Sequence, residues 1–138
     1  MNESSSRGFQ QSRAGEAFAA EEARKSRLIL EARLLRQRQE AEAAAAKFAE
    51  AAALEERLGE LCEHQGLPEK SFVHFFSAAS CWAQAGNFYE AILLCDRLVA
   101  EPGVSVLLRT RIAHYADTLR ARRAQWYGEL VHQSAESS

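Results

Sequence analysis

The chain has 138 residues, 26 of them alanine, with two prolines, seven glycines and a formal net charge of −2. Alanine is the best intrinsic helix former and the β-branched residues are scarce. The composition therefore points to an all-α protein and away from a β-sandwich or a parallel-sheet enzyme. A chain this short buries one modest core, and no run approaches the ~20 apolar residues that span a bilayer, so no membrane partner is expected.

Residues 1–13 are rich in Ser, Gln and Glu and lack the apolar core of a signal peptide. They are expected to form a disordered tail on a cytoplasmic protein. From 14 to 64 there is no proline and only Gly15 and Gly59 interrupt the alanine-rich run. An unbroken helix over this span would be about 75 Å long, so it either breaks or pairs along its length.

A heptad count supports pairing. The seam Ala20, Ala23, Arg27, Leu30, Leu34, Gln37, Ala41, Ala44, Phe48, Ala51, Glu55, Leu58, Cys62 has ten apolar members of thirteen. The half from Ala41 to Cys62, with Phe48, Leu54, Leu58 and Leu61, carries the stronger apolar face and is expected to pack on the rest of the protein. The half before it is a candidate arm. Charge follows the same division: residues 23–38 carry a balance of +5, and residues 41–63 a balance of −4.

Gly66, Leu67 and Pro68 end this segment and start a second unit, expected over 67–131. Its first helix, Pro68 to Ala85, places Phe72, Phe75, Phe76, Ala79 and Trp82 on one face. Gly86-Asn87 predicts a tight turn, and Phe88 to Ala100 resumes helical spacing with Ala91, Leu94, Cys95 and Leu98. Pro102-Gly103 breaks the chain again. A last helix is expected from about Val104 to Leu130, with Leu108, Ile112, Tyr115 and Leu119 as its buried stripe, followed by a polar tail over 132–138.

Residues 72–103 resemble a tetratricopeptide repeat. The large aromatic early in the first helix of that repeat corresponds to Phe75, its two small packing residues to Ala78 and Ala79, and its second aromatic to Trp82. The inter-helix glycine corresponds to Gly86, the aromatic and alanine of the second helix to Phe88 and Ala91, and later packing positions to Cys95 and Leu98. The terminal proline is Pro102, one residue early. Such repeats stack, because one hairpin cannot bury its own apolar face. The match covers about a quarter of the chain, and the flanking segments lack a matching glycine-aromatic turn. The resemblance implies antiparallel helical hairpins with a long N-terminal helix and a C-terminal capping helix.

Because the groove of that family is lined mainly by the first helix of each hairpin, the resemblance implies partner-binding residues Val73, Phe76, Ser80, Ala83 and Gln84. The Lys and Asn pattern that some members use to clamp a terminal carboxylate is absent at these positions, so an apolar helix or extended peptide of another protein is the expected ligand. The function expected is that of an adaptor or scaffold. A second reading is a structural homo-oligomer assembled through the 20–62 seam. A third, weaker one is nucleic-acid binding through Arg109, Arg111, Arg120, Arg122, Arg123, Trp126 and Tyr127, where bases alternate with aromatics.

Cys62, Cys81 and Cys95 are odd in number and form no CxxC pair, so they read as reduced packing residues. His64, His74, His114 and His132 have no paired nucleophile or carboxylate at a recognised spacing, and no glycine-rich phosphate loop is present. No enzymatic activity, metal or cofactor is expected.

Overall fold

The computed structural model describes the backbone of residues 3–137 and the side chains of residues 15–135. Five α-helices follow one another among the described residues: α1 (Glu3–Gln37), α2 (Ala41–His64), α3 (Pro68–Gln84), α4 (Phe88–Ala100) and α5 (Val106–Ser137). The protein is all-α, and each helix packs against its neighbours in sequence.

The first three reversals are built alike. At each, one residue takes the left-handed conformation: Gln39 (φ 63°), Gly66 (φ 72°) and Gly86 (φ 84°). The N–H of the following residue then reaches back to a carbonyl in the last turn of the preceding helix, Glu40 to Leu35, Leu67 to Cys62 and Asn87 to Trp82. This double use of the last carbonyls satisfies acceptors that a helix end otherwise leaves orphaned. The same residue opens the next helix. Asn87 does so with a side-chain cap, its Oδ1 accepting from the N–H of Glu90 at 3.4 Å. The fourth reversal, through Pro102 and Gly103, differs: Ser105 Oγ accepts from the N–H of Leu108, and Arg109 Nη2 donates to the carbonyls of Glu101 and Val104.

Side-chain contacts between alternate helices fix their relative direction. Glu22 lies near His74, and Arg36 donates to Gln84, so α1 and α3 run parallel. Phe76 stacks edge-on against Tyr115 and Ala83 clusters with Leu119, so α3 and α5 run parallel. The result is a layer of α1, α3 and α5 backed by a layer of α2 and α4. Phe72, Ala78, Ala79, Leu94, Cys95, Leu98, Val104, Ile112 and Ala116 form the core among the last three helices. Leu28, Ala51, Ala52, Leu54 and Cys81 join α1, α2 and α3. Small residues set the close approaches: Ala78, Ala79 and Ala91 are fully buried, and a Cβ on Gly59 would sit 3.0 Å from the Phe75 ring.

The segment 14–64 is therefore two helices, and the seam drawn through it does not lie on one of them. Its α1 members Ala20, Ala23, Arg27, Leu30, Leu34 and Gln37 are exposed, whereas Ala44, Phe48, Ala51, Glu55, Leu58 and Cys62 on α2 are buried. The inward face of α1 is Phe18, Glu21, Lys25, Leu28, Ala32 and Leu35. It is displaced from the seam because Glu55, inside α2, draws Lys25 inward to 3.7 Å and accepts from His74 Nδ1 at 2.9 Å. Residues 3–13 and 132–137, expected as tails, continue α1 and α5 as helix, each added residue supplying one more backbone hydrogen bond. Met1, Asn2 and Ser138 lie outside the described residues.

Two substitutions test this architecture. Gln39 is exposed and holds a conformation that costs a non-glycine residue about 1 kcal/mol or more, so Gln39→Gly is expected to stabilise the fold by roughly 1 kcal/mol in denaturant titration. Ala79→Leu overpacks the buried α3–α4 contact and is expected to cost roughly 1–3 kcal/mol, read as a lowered melting temperature.

Candidate groove between α3 and α5

Residues three and four apart on α3 project Val73, Phe76, Ser77 and Ser80 along one edge of that helix, and Leu108, Arg111 and Tyr115 do the same on α5. Together they line an open groove of about 340 Å³. Its floor is aromatic, with Phe76 and Tyr115 rings 5.6 Å apart and nearly perpendicular. Val73 is 54 % exposed at one end, an apolar side chain left for solvent. Ser77, Ser80, the Tyr115 hydroxyl and Arg111 provide the polar atoms. Burial pushes the Tyr115 phenol above its usual range, and its hydrogen bond with Ser80 opposes that shift. At neutral pH the groove thus presents neutral hydroxyls and one exposed cation, Arg111.

Of the five residues expected to bind a partner, Val73, Phe76 and Ser80 lie together in this groove. Gln84 stands further along α3, where its Oε1 and carbonyl oxygen accept from Arg36 and its Nε2 donates to Ser80 Oγ at 3.5 Å. It ties α1 to the groove edge. Ala83 follows Ser80 by three residues on the same side of α3, but at that level it is buried in a cluster with Ala91, Ile92 and Leu119, so it is a packing residue. Leu108, Arg111 and Tyr115 complete the groove from α5; Leu108 and Tyr115, expected in the buried stripe of the last helix, are only half-buried and line the groove as well. Their three- and four-residue spacing was the available signal.

A second concavity, about 170 Å³, lies among α2, α3 and α4, with Phe72 and Phe75 at its base and Glu56, Glu60, Glu63 and Glu101 around it. Arg97 is the cation on its wall. Glu56 is engaged there as the acceptor of the Trp82 indole N–H at 3.2 Å. Among the described residues no group of three or more His, Cys, Asp or Glu is arranged to hold a metal ion. No helix among them is long and apolar enough to cross a membrane.

The basic residues of α5 are partly committed within the chain. Arg120 bridges Asp96 on α4 and Asp117 on its own helix, and Arg109 donates to the carbonyls of Glu101 and Val104 in the loop that follows α4. Comparison with protein-family models, with curated proteins and with solved structures finds no match.

All three cysteines are buried and free. Burial pushes each thiol up, Cys81 and Cys95 to about 11, with Glu55 and Asp96 respectively adding to the effect. At pH 8 roughly a thousandth of Cys81 and Cys95 is thiolate. Iodoacetamide at that pH is expected to label both slowly in the folded protein and rapidly after denaturation, as counted by mass spectrometry. Fast native labelling would contradict the packing.

Proposed function

We propose that the chain is a non-catalytic protein-interaction module of tetratricopeptide-like hairpins, holding an apolar helix or extended peptide of another protein in the groove between α3 and α5. The observation that carries this reading is the groove itself: Val73, Phe76 and Leu108 offer apolar surface open to solvent, beside the hydroxyls of Ser77, Ser80 and Tyr115. That mixture suits a segment with one or two apolar anchors and backbone groups to satisfy. The hairpin identity is supported by the buried Ala78, Ala79 and Ala91, by Gly86 at the left-handed turn position, and by the parallel α1, α3 and α5. Arg111 adds a preference for a carboxylate close to the apolar anchor.

Selection of helical and extended peptides displayed in a random library, followed by affinity measurement on the enriched sequences, tests this reading. Phe76→Glu places a charge on the groove floor and is expected to weaken binding by more than about tenfold, equivalent to 1.4 kcal/mol. Glu60→Gln, on the opposite layer, should leave affinity unchanged. Enriched peptides that bind the Phe76→Glu protein as well as the wild type would place the ligand elsewhere.

A further inference from the structure

The apolar contacts divide unevenly between α1 and the rest of the fold. Among the described residues, the cluster of Phe72, Leu94 and Ile112 and the cluster of Ala91 and Leu119 contain no residue of α1. The remaining cluster takes from α1 only Leu28, with Ile29 packed against it, and sets them on Ala51, Ala52, Leu54 and Cys81. Charged groups supply much of the rest of the α1 contact: Glu21 with Arg57 at 3.4 Å, Glu31 with Lys47 at 3.6 Å and Lys25 with Glu55 at 3.7 Å. Of these three pairs only Lys25–Glu55 is withdrawn from water, its side chains 19 % and 3 % exposed. The second partner of Glu55, His74 Nδ1 at 2.9 Å, belongs to α3 and does not depend on α1. A buried charge pair returns little net stability, because both charges give up water to form it, whereas one charge left buried without its partner is costly. Departure of α1 rehydrates Lys25 and Glu55 together, and it bares far less apolar surface than global unfolding does.

We propose that α1 is a releasable strap latched at Glu55: it leaves α2 and α3 as a unit, hinging at residues 38–40, while α2 to α5 keep their own core. Release bares Ala51, Leu54 and Cys81 with the Glu55 carboxylate beside them, a seat whose occupant in the closed state is α1 itself. Cys81 marks that seat. Leu28 packs in its cluster, and the charges of Lys25 and Arg33 on α1 both act on its thiol. Cys95 lies in the core of α3, α4 and α5, which α1 does not enter. One buried thiol is thus covered by the strap and the other by the body. The strap stands independently of the groove, whose lining comes from α3 and α5.

Alkylation of the full chain by iodoacetamide, resolved residue by residue through peptide mass spectrometry, tests the proposal. When opening and closing are fast relative to alkylation, each rate follows the population of the form that bares that thiol. In the folded wild type Cys81 is expected to react about tenfold or more faster than Cys95, and both far more slowly than in the urea-denatured chain. Lys25→Met leaves the Glu55 charge in the closed state without its cation, and is expected to speed Cys81 by about a further tenfold while Cys95 is unchanged. Adding Glu55→Gln removes the stranded charge and keeps an acceptor for His74, so the double variant should return Cys81 towards the wild-type rate. Equal rates at the two thiols of the wild type overturn the proposal, because global unfolding alone then bares Cys81. So does a Cys81 rate that Lys25→Met leaves unchanged. A Lys25→Met protein in which Cys95 reacts as fast as Cys81 also overturns it, since the body then does not stand without the strap. A double variant as fast as Lys25→Met refutes the latch at Glu55.

Discussion

Trp82 is the side chain on which the packing converges. It belongs at once to the cluster of α3, α4 and α5, to the cluster that joins α1, α2 and α3, and to the cluster around Ala91 and Leu119. Its indole N–H is not left unpaired in this setting, since Glu56 on α2 accepts from it. Its backbone carbonyl accepts from Asn87 and closes the α3–α4 turn. One large ring therefore couples the two layers, and the small residues around it, Ala78, Ala79 and Ala91, are small because the ring needs the space. The groove depends on the same arrangement: Phe76 and Ser80 are held at their positions by a helix whose opposite side Trp82 locks.

The α1 helix is held by a different kind of contact. Among the described side chains of α1 only Leu28 and Ala32 are buried, and much of the rest of its inner face is polar. Glu21 pairs with Arg57, Glu31 with Lys47, Lys25 with Glu55, and Arg36 lies over the Phe48 ring at 4.5 Å while donating to Gln84. The interior carboxylate of Glu55 lies between Lys25 and His74, and His74 in turn faces Glu22 and the Phe18 ring. Surface pairs of this kind contribute a few tenths of a kcal/mol each, so the apolar contacts of Leu28 and Ile29 and the buried Glu55 network carry most of the docking.

The α3–α4 hairpin was legible because its punctuation is strong: Pro68 at a helix start, Gly86-Asn87 at a turn and Pro102-Gly103 at an exit all fall where the backbone requires them. The α1–α2 reversal was not, because the left-handed residue there is Gln39, which no local rule distinguishes from its helical neighbours. Alanine made matters worse. With 15 of the 26 alanines between Ala14 and Ala53, many faces of that segment look equally apolar, and on α1 the face with the best heptad count is the exposed one. The inward side of α1 carries Glu21, Glu22 and Lys25, whose partners Arg57, His74 and Glu55 lie far away in sequence. In the groove, Val73, Phe76 and Ser80 were reachable from one helix, but Leu108, Arg111 and Tyr115 required knowing that α5 runs parallel to α3.

Because each helix packs chiefly on the helix next to it in sequence, the fold is assembled almost wholly from local contacts. Chains with this topology have low contact order and fold quickly, since little loop-closure entropy must be lost before contacts form. Their stability is also close to a sum of neighbour terms, so the ends open before the middle. In hydrogen exchange this would appear as a gradient, with amides of α2, α3 and α4 the slowest and protection falling outward along α1 and α5.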